Sequence, residues 1–151
     1  FKSFPLDGAA DSAVLLLRLK FQQAGVEATV VSEPDLPFVE GNPGQIQQVF
    51  LNLLLNAVQA MPKGGKLSLR VAREPGPQGE VISVRIADTG SGISPEILPK
   101  IFESFFTSRE DGTGLGLAIV KRILRDHRGD IVVESSGLAG TTFKFWIPAL
   151  K

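Results

Sequence analysis

The segment from Pro43 to Met61 constrains the fold more than any other part of this chain. Asn42-Pro43 is a favourable helix start, and Pro62-Lys63-Gly64-Gly65 is placed to end the helix. Between them Ile46, Val49, Phe50, Leu53, Leu54 and Ala57 recur at helical spacing and form a broad apolar face. Such a face has to be buried against a second layer. A polar line runs beside it: Gln48, Asn52, Asn56 and Gln59, spaced four, four and three residues apart and so on one side of the helix. One reading is a solvated flank. Solvated flanks, however, usually carry Lys and Glu, and these four are all neutral amides. An amide oxygen can ligate a hard cation such as Mg²⁺ without adding charge of its own.

The remaining segments supply the second layer. Ala9 to Ala24 has helical periodicity with Gly25 to end it. Val26 to Ser32 alternates and is β-branched, as a strand should be, and a short extended piece surrounds Phe38-Val39. Lys66 to Ala72 and Glu80 to Ala87 read as strands joined by a Pro/Gly-rich turn. A short helix is expected over Pro95 to Phe102, a polar loop over Ser104 to Thr113, and a helix from Gly114 to His127 that Gly129 would terminate. Asp130 to Ser135 and Thr142 to Pro148 read as closing strands. Several of these strands stand too close together for parallel crossovers. The expected fold is therefore α+β, two layers, with helices covering one face of a mostly antiparallel sheet. Residues 1–8 read as a linker and residues 9–151 as one domain.

Bulk properties exclude several classes. Sixteen basic and sixteen acidic residues cancel, which gives no reason to expect nucleic acid or an anionic membrane as partner. The absence of cysteine removes disulfides, thiolate zinc sites and cysteine nucleophiles, and fits a cytoplasmic location. No apolar run reaches the roughly 18 residues a membrane span needs. The opening Phe1-Lys2-Ser3-Phe4-Pro5 has neither an initiator Met nor the pattern of a signal peptide, and reads as the start of an excised piece.

Two further segments can carry chemistry. Val81 to Ile86 leads into Ala87-Asp88-Thr89-Gly90-Ser91-Gly92, which places one carboxylate at the end of a buried strand with the backbone free to bend around it. Such a carboxylate can accept a hydrogen bond from an exocyclic amine. It could also cap a simple β-turn. The same residues match an aspartic protease signature, but only one Asp-Thr-Gly is present and the long helices argue against that mostly-strand fold. Gly112-Thr113-Gly114-Leu115-Gly116-Leu117 opens the next helix, where unpaired N–H groups and the positive dipole end suit phosphate. No Gly-Lys-Ser/Thr follows, so it is not a P-loop. Nor does a strand precede it, as a dinucleotide fingerprint would require.

Taken together and in order, Asn52-Leu-Leu-Leu-Asn56-Ala57, Asp88-x-Gly90-x-Gly92, Phe102-Glu-Ser-Phe105-Phe106-Thr107, Gly112-Thr-Gly-Leu-Gly-Leu117 and Gly140-Thr141-Thr142-Phe143 resemble the N, G1, F, G2 and G3 boxes of the ATP-binding domain of sensor histidine kinases. That domain belongs to the wider group containing DNA gyrase, Hsp90 and MutL. The resemblance covers residues 24–148. The wording LNLLLNAVQAM and IFESFFTSREDGTGLGLAIVKRI is similar to nitrogen-regulation-type kinases with a short lid.

The resemblance implies a Bergerat-type α/β sandwich with ATP held between the helical layer and a lid. It implies that Asn56 ligates Mg²⁺ with Asn52 assisting, and that Asp88 accepts the adenine N6 hydrogen bond with Thr141 or Thr142 supporting it through water. Gly90, Gly92 and Ile93 would line the base. Phe105, Thr107 and Arg109, with Gly112, Thr113, Gly114, Leu115, Gly116 and Leu117, would form the lid and the phosphate contacts. Hydrolytic relatives carry a Glu four residues before the Mg²⁺-binding Asn; here that position is Asn52, so the domain resembles one that hands the γ-phosphoryl to another nucleophile.

The only histidine, His127, reads as a helix C-terminal residue meeting the dipole, not as a phosphoacceptor. The resemblance therefore implies that a histidine-bearing dimerisation domain precedes Phe1, that a response regulator acts through that domain, and that the isolated chain is monomeric and does not phosphorylate itself. Two positions depart from the family pattern. Gln59 stands where many members have Lys, leaving Arg109 or Lys63 for that phosphate contact, and Leu138 stands where the last box has its first Gly. Rival readings are a serine kinase of the anti-sigma-factor type and a degenerate docking module. Mg²⁺-dependent ATP affinity separates the second of these.

Overall fold

A computed structural model describes residues 1–103 and 116–150. The chain runs β1 (Lys2–Phe4), α1 (Leu6–Leu16), α2 (Arg18–Ala24), β2 (Val26–Ser32), β3 (Val39–Gly41), α3 (Pro43–Gln59), β4 (Gly65–Gly76), β5 (Gly79–Asp88), α4 (Gly116–Asp126), β6 (Asp130–Gly137) and β7 (Gly140–Pro148). Five strands form one sheet in the order β2-β4-β5-β7-β6, with only β2 and β4 parallel. This is the expected two-layer α+β fold with a mixed, mostly antiparallel sheet.

Alternation explains which face is covered. Leu67, Leu69 and Val71 on β4, Ile82, Val84 and Ile86 on β5, and Phe143, Phe145 and Ile147 on β7 all point to the helical layer and are buried. The facing apolar stripe of α3 (Ile46, Val49, Phe50, Leu53, Leu54 and Ala57) is buried against them. Phe50 meets Phe145 edge-on at the centre, with ring centroids 5.4 Å apart. α3 starts where the sequence says it should: the Asn42 side chain accepts from the Gln45 N–H, and Pro43 occupies the first turn.

Several local expectations differ from the structure. Residues 1–8, read as a linker, carry β1 and the first turn of α1. β1 pairs antiparallel with β3, and Leu6 is fully buried. A three-residue strand whose partner lies far along the chain leaves no periodic trace. The helix expected from Ala9 to Ala24 starts earlier, at Leu6, and is interrupted at Leu17, which has ψ of 7°. The helix expected over Pro95 to Phe102 is instead a run of turns around a 3₁₀ segment, Leu98–Lys100, as suits a stretch with two prolines. At the end of α4, Gly129 acts as expected, its N–H donating to the Leu124 carbonyl (2.8 Å) after Arg128 takes the left-handed conformation with φ of 64°; a Cβ on Gly129 would overlap the Trp146 carbonyl.

Candidate functional site

Asp88 is the last residue of the buried row on β5, so its carboxylate continues Ile82, Val84 and Ile86 to the edge of the core. It is buried, and two backbone N–H groups, from Gly90 (2.9 Å) and Thr141 (3.3 Å), donate to the same oxygen, Oδ1. Among the described residues nothing donates to Oδ2. Burial raises the Asp88 pKa above the usual carboxylate range, and the two backbone hydrogen bonds only partly oppose it. An acceptor atom without a described donor, on an under-solvated carboxylate, is suited to a ligand N–H.

Three neighbouring elements fix the loop after Asp88. The Ser91 N–H donates to the Ala60 carbonyl at the end of α3 (3.3 Å), and the Thr89 hydroxyl accepts from the Lys66 N–H on β4 (3.0 Å). Gly90 and Gly92 allow the loop to lie this close: a Cβ on Gly90 would overlap the Ala60 carbonyl, and one on Gly92 the Gly137 carbonyl. Their lack of side chains thus serves packing of the loop as well as any approach to a base.

The β6–β7 hairpin forms the adjoining wall. Gly137 pairs with Gly140, so Leu138-Ala139 is a two-residue turn, and Leu138 is fully exposed at its tip. The departure from the family pattern at Leu138 therefore leaves the hairpin closed. Gly140 has φ of 120° and lies against the Asp88 carbonyl, where any side chain would collide. The Thr141 backbone N–H donates to Asp88, while Thr142 lies across from Ala87 in the ladder.

Sequence reasoning missed Ser136. A bulge leaves Glu134 unpaired between Val133 and Ser135, which shifts the alternation and turns Ser136 toward the site. Its hydroxyl accepts from the Ile93 N–H at 2.8 Å and lies 3.2 Å from the Thr141 hydroxyl. Ile93 is thereby held beside the Asp88 wall. No sequence signal marks a bulge of this kind; the polar Glu134-Ser135-Ser136 run at the strand end is the only hint.

α3 supplies the amides. Asn52 and Asn56 are half-buried one turn apart, Gln48 and Gln59 are exposed, and Ala60, which anchors the Asp88 loop, is one further turn along from Asn56. The Asn52 side-chain N–H donates to the Gly116 carbonyl at the start of α4 (3.3 Å), joining the amide line to the helix that follows the glycine-rich segment. Leu117 is half-buried in the first turn of α4. Ahead of that segment, the Phe102 ring meets Phe143 edge-on at 6.3 Å and lies 5.0 Å below the Lys121 ammonium. Lys63, the other candidate for a phosphate contact, is exposed in the turn after α3. Phe105, Thr107, Arg109, Gly112, Thr113, Gly114 and Leu115 lie outside the described residues.

Residues 41–151 match the family of histidine kinase-, DNA gyrase B- and HSP90-like ATPases. The chain belongs to this family. Within it, similarity to sensor kinases extends over nearly its full length: 38% identity to the sensor kinase CckA of Brucella abortus across 95% of the chain, and 37% to the sensor histidine kinase ZraS of Salmonella typhimurium across 85%. It spans only 16% and 27% of those two proteins. The isolated catalytic domain of the histidine kinase ThkA superposes with a TM-score of 0.86 at 30% identity, covering 99% of this chain and 95% of that one. ThkA in complex with the response regulator TrrA gives 0.82 at 27% identity, with 99% of this chain and 42% of that one covered. The fold described above is thus that of the ATP-binding catalytic domain of sensor histidine kinases. Among the described residues no helix is long and apolar enough to cross a membrane.

Proposed function

We propose that this domain binds Mg²⁺·ATP between Asp88 and the amides of α3, and delivers the γ-phosphoryl to a histidine on a separate dimerisation domain. The observation that carries this reading is the Asp88 carboxylate: buried, held through one oxygen by backbone donors, and with no donor on the other among the described residues. Adenine N6 is a donor of the right kind for it. Gly92, Ile93 and the Thr141 backbone, gathered around it, would line the base, and Thr142 would support from the ladder.

Asn52 and Asn56 fit a hard cation whose charge is neutralised chiefly by phosphate oxygens, since both are neutral amides on one helix face. When bound there, Mg²⁺ would offset charge on the triphosphate, with Asn56 as its ligand. Asn52 cannot serve as a general base toward water, because an amide has no basic site at neutral pH. The first described turn of α4, at Gly116 and Leu117, is assigned to the phosphate side on the family resemblance. Phe105, Thr107, Arg109, Gly112, Thr113, Gly114 and Leu115 are assigned phosphate and lid roles on the family resemblance.

The parent protein, on this reading, carries the phosphoacceptor domain ahead of residues 1–8 and passes the phosphoryl to a response regulator; ThkA is found in complex with the response regulator TrrA. The resemblance of the motif wording to nitrogen-regulation kinases supports that subtype, and a cytoplasmic location accords with ATP as substrate. The test is to mix this chain, γ-labelled ATP and a separately produced helical dimerisation domain bearing the histidine. Acid-labile, alkali-stable label on that domain, absent when its histidine is replaced, is the expected result. Label on serine, or ATP hydrolysis with no transfer, would contradict it.

A further inference from the structure

The one histidine does more than end a helix. His127 is buried at the carboxyl end of α4, and both ring nitrogens are engaged. Nε2 accepts from the Asn42 backbone N–H at 3.0 Å, and Nδ1 lies 2.7 Å from the Ile123 carbonyl. Because Asn42 can only donate, the tautomer that satisfies both contacts carries its hydrogen on Nδ1. Gly41 makes room for the ring: a Cβ there would overlap the imidazole. Phe1 stacks over it, centroids 4.6 Å apart.

Asn42 is the residue that caps the start of α3, so His127 ties the end of α4 to the beginning of α3. A second polar tie between the same two helices is the Asn52–Gly116 bond. Residues 42 to 52 and 116 to 127 span ten and eleven positions, each roughly 15–17 Å at 1.5 Å rise per residue, so the helices run antiparallel and are fastened near both ends. Between the two ties the packing is apolar: Ile46, Val49 and Phe50 are buried on α3, as are Val120, Ile123 and Leu124 on α4. Apolar packing is non-directional and leaves sliding and rotation comparatively cheap. The polar ties at the two ends add directional constraints.

We propose that His127 is a positioning residue for the phosphate-and-metal half of the nucleotide site, acting from the far end of the α3–α4 pair. It fixes α3, and with it Asn52 and Asn56, against the amino-terminus of α4. Asp88 itself is held by β5's hydrogen-bonded ladders on both sides and meets α3 only through the loop that Ala60 anchors, so it depends less on this coupling. The inference rests on the assignment of Asn52 and Asn56 made above.

Calorimetry with Mg²⁺·ATP and with adenosine on the full chain, His127→Leu and His127→Gln separates positioning from general stabilisation. His127→Leu should weaken Mg²⁺·ATP by about tenfold while leaving adenosine within about twofold. Gln should restore most of the loss, since its amide can donate to Ile123 and accept from Asn42. Equal losses for both ligands, or no loss for either, overturns the proposal. Should the Leu variant not fold, ¹⁵N spectra of the unmodified chain decide: hydrogen on Nδ1 with a slowly exchanging Asn42 amide is expected, and hydrogen on Nε2 overturns it. If the unmodified chain binds neither ligand, it is the nucleotide reading itself that fails.

Discussion

Asp88 and Glu74 stand toward opposite ends of the same β4–β5 ladder, one on the covered face of the sheet and one on the open face, and their surroundings have opposite effects. Glu74 receives Arg85 at 2.6 Å and Lys144 at 2.7 Å, and Arg85 continues to Glu134 at 2.8 Å. These pairs lace β4, β5, β7 and β6 together. The Lys144 and Arg85 cations hold Glu74 down at about 2, outweighing an opposing cost of burial. Asp88 has no cation beside it among the described residues, only two N–H donors on one oxygen, and burial raises its pKa. One carboxylate is spent on the sheet. The other is left electrostatically unsettled where a ligand donor could complete it, as expected where binding takes precedence over stability.

The contrast can be broken from either end. Asp88→Asn replaces the acceptor by an amide that can still accept from Gly90 and Thr141 through its oxygen. We expect nucleotide affinity to fall about a hundredfold by calorimetry. The ligand-free chain should be no less stable to heat, because the ionised Asp88 opposes folding above its raised pKa and that cost is relieved as pH falls. Asn56→Ala should weaken binding by about tenfold in Mg²⁺ and little in EDTA, with adenosine unaffected.

At the other end, Glu74→Gln should cost about 1–2 kcal/mol in urea unfolding at pH 7, the pairs being partly exposed. Because the folded-state pKa is lowered from 4.5 to about 2, that contribution is complete above pH 4.5 and is lost as pH falls toward 2. The unfolding difference between Glu74→Gln and the unmodified chain should therefore shrink on acidification. The smallest effect belongs to Arg73→Ala, which removes an exposed ion pair to Glu80 near the β4–β5 turn and should leave the unfolding midpoint within error.

The same contrast separates what the sequence reveals from what it does not. α3 is legible because its cap, its proline and its apolar stripe lie within one segment, and β2 because alternation is local. Asp88 is legible because a buried strand ending in a carboxylate and glycines has few other uses. Glu74, Arg85, Lys144 and Glu134 look like any charged residues on strands. Only the strand order brings them into line, and that order depends on long-range pairing. Ser136 is hidden behind a bulge that breaks the alternation, and β1 by its three-residue length. His127 was read as a helix end, and α4 does end there. Its partner Asn42 lies 85 residues away, beyond the reach of any local pattern.

The most direct test of the account is a titration of ATP, with Mg²⁺ and with EDTA, into the unmodified chain and Asp88→Asn, alongside thermal melts of both without ligand. Saturable, Mg²⁺-strengthened binding that disappears in Asp88→Asn while its melting temperature holds or rises is the predicted result. Binding that survives the substitution, or no binding to the unmodified chain, would contradict the claim that Asp88 is held under-satisfied for adenine.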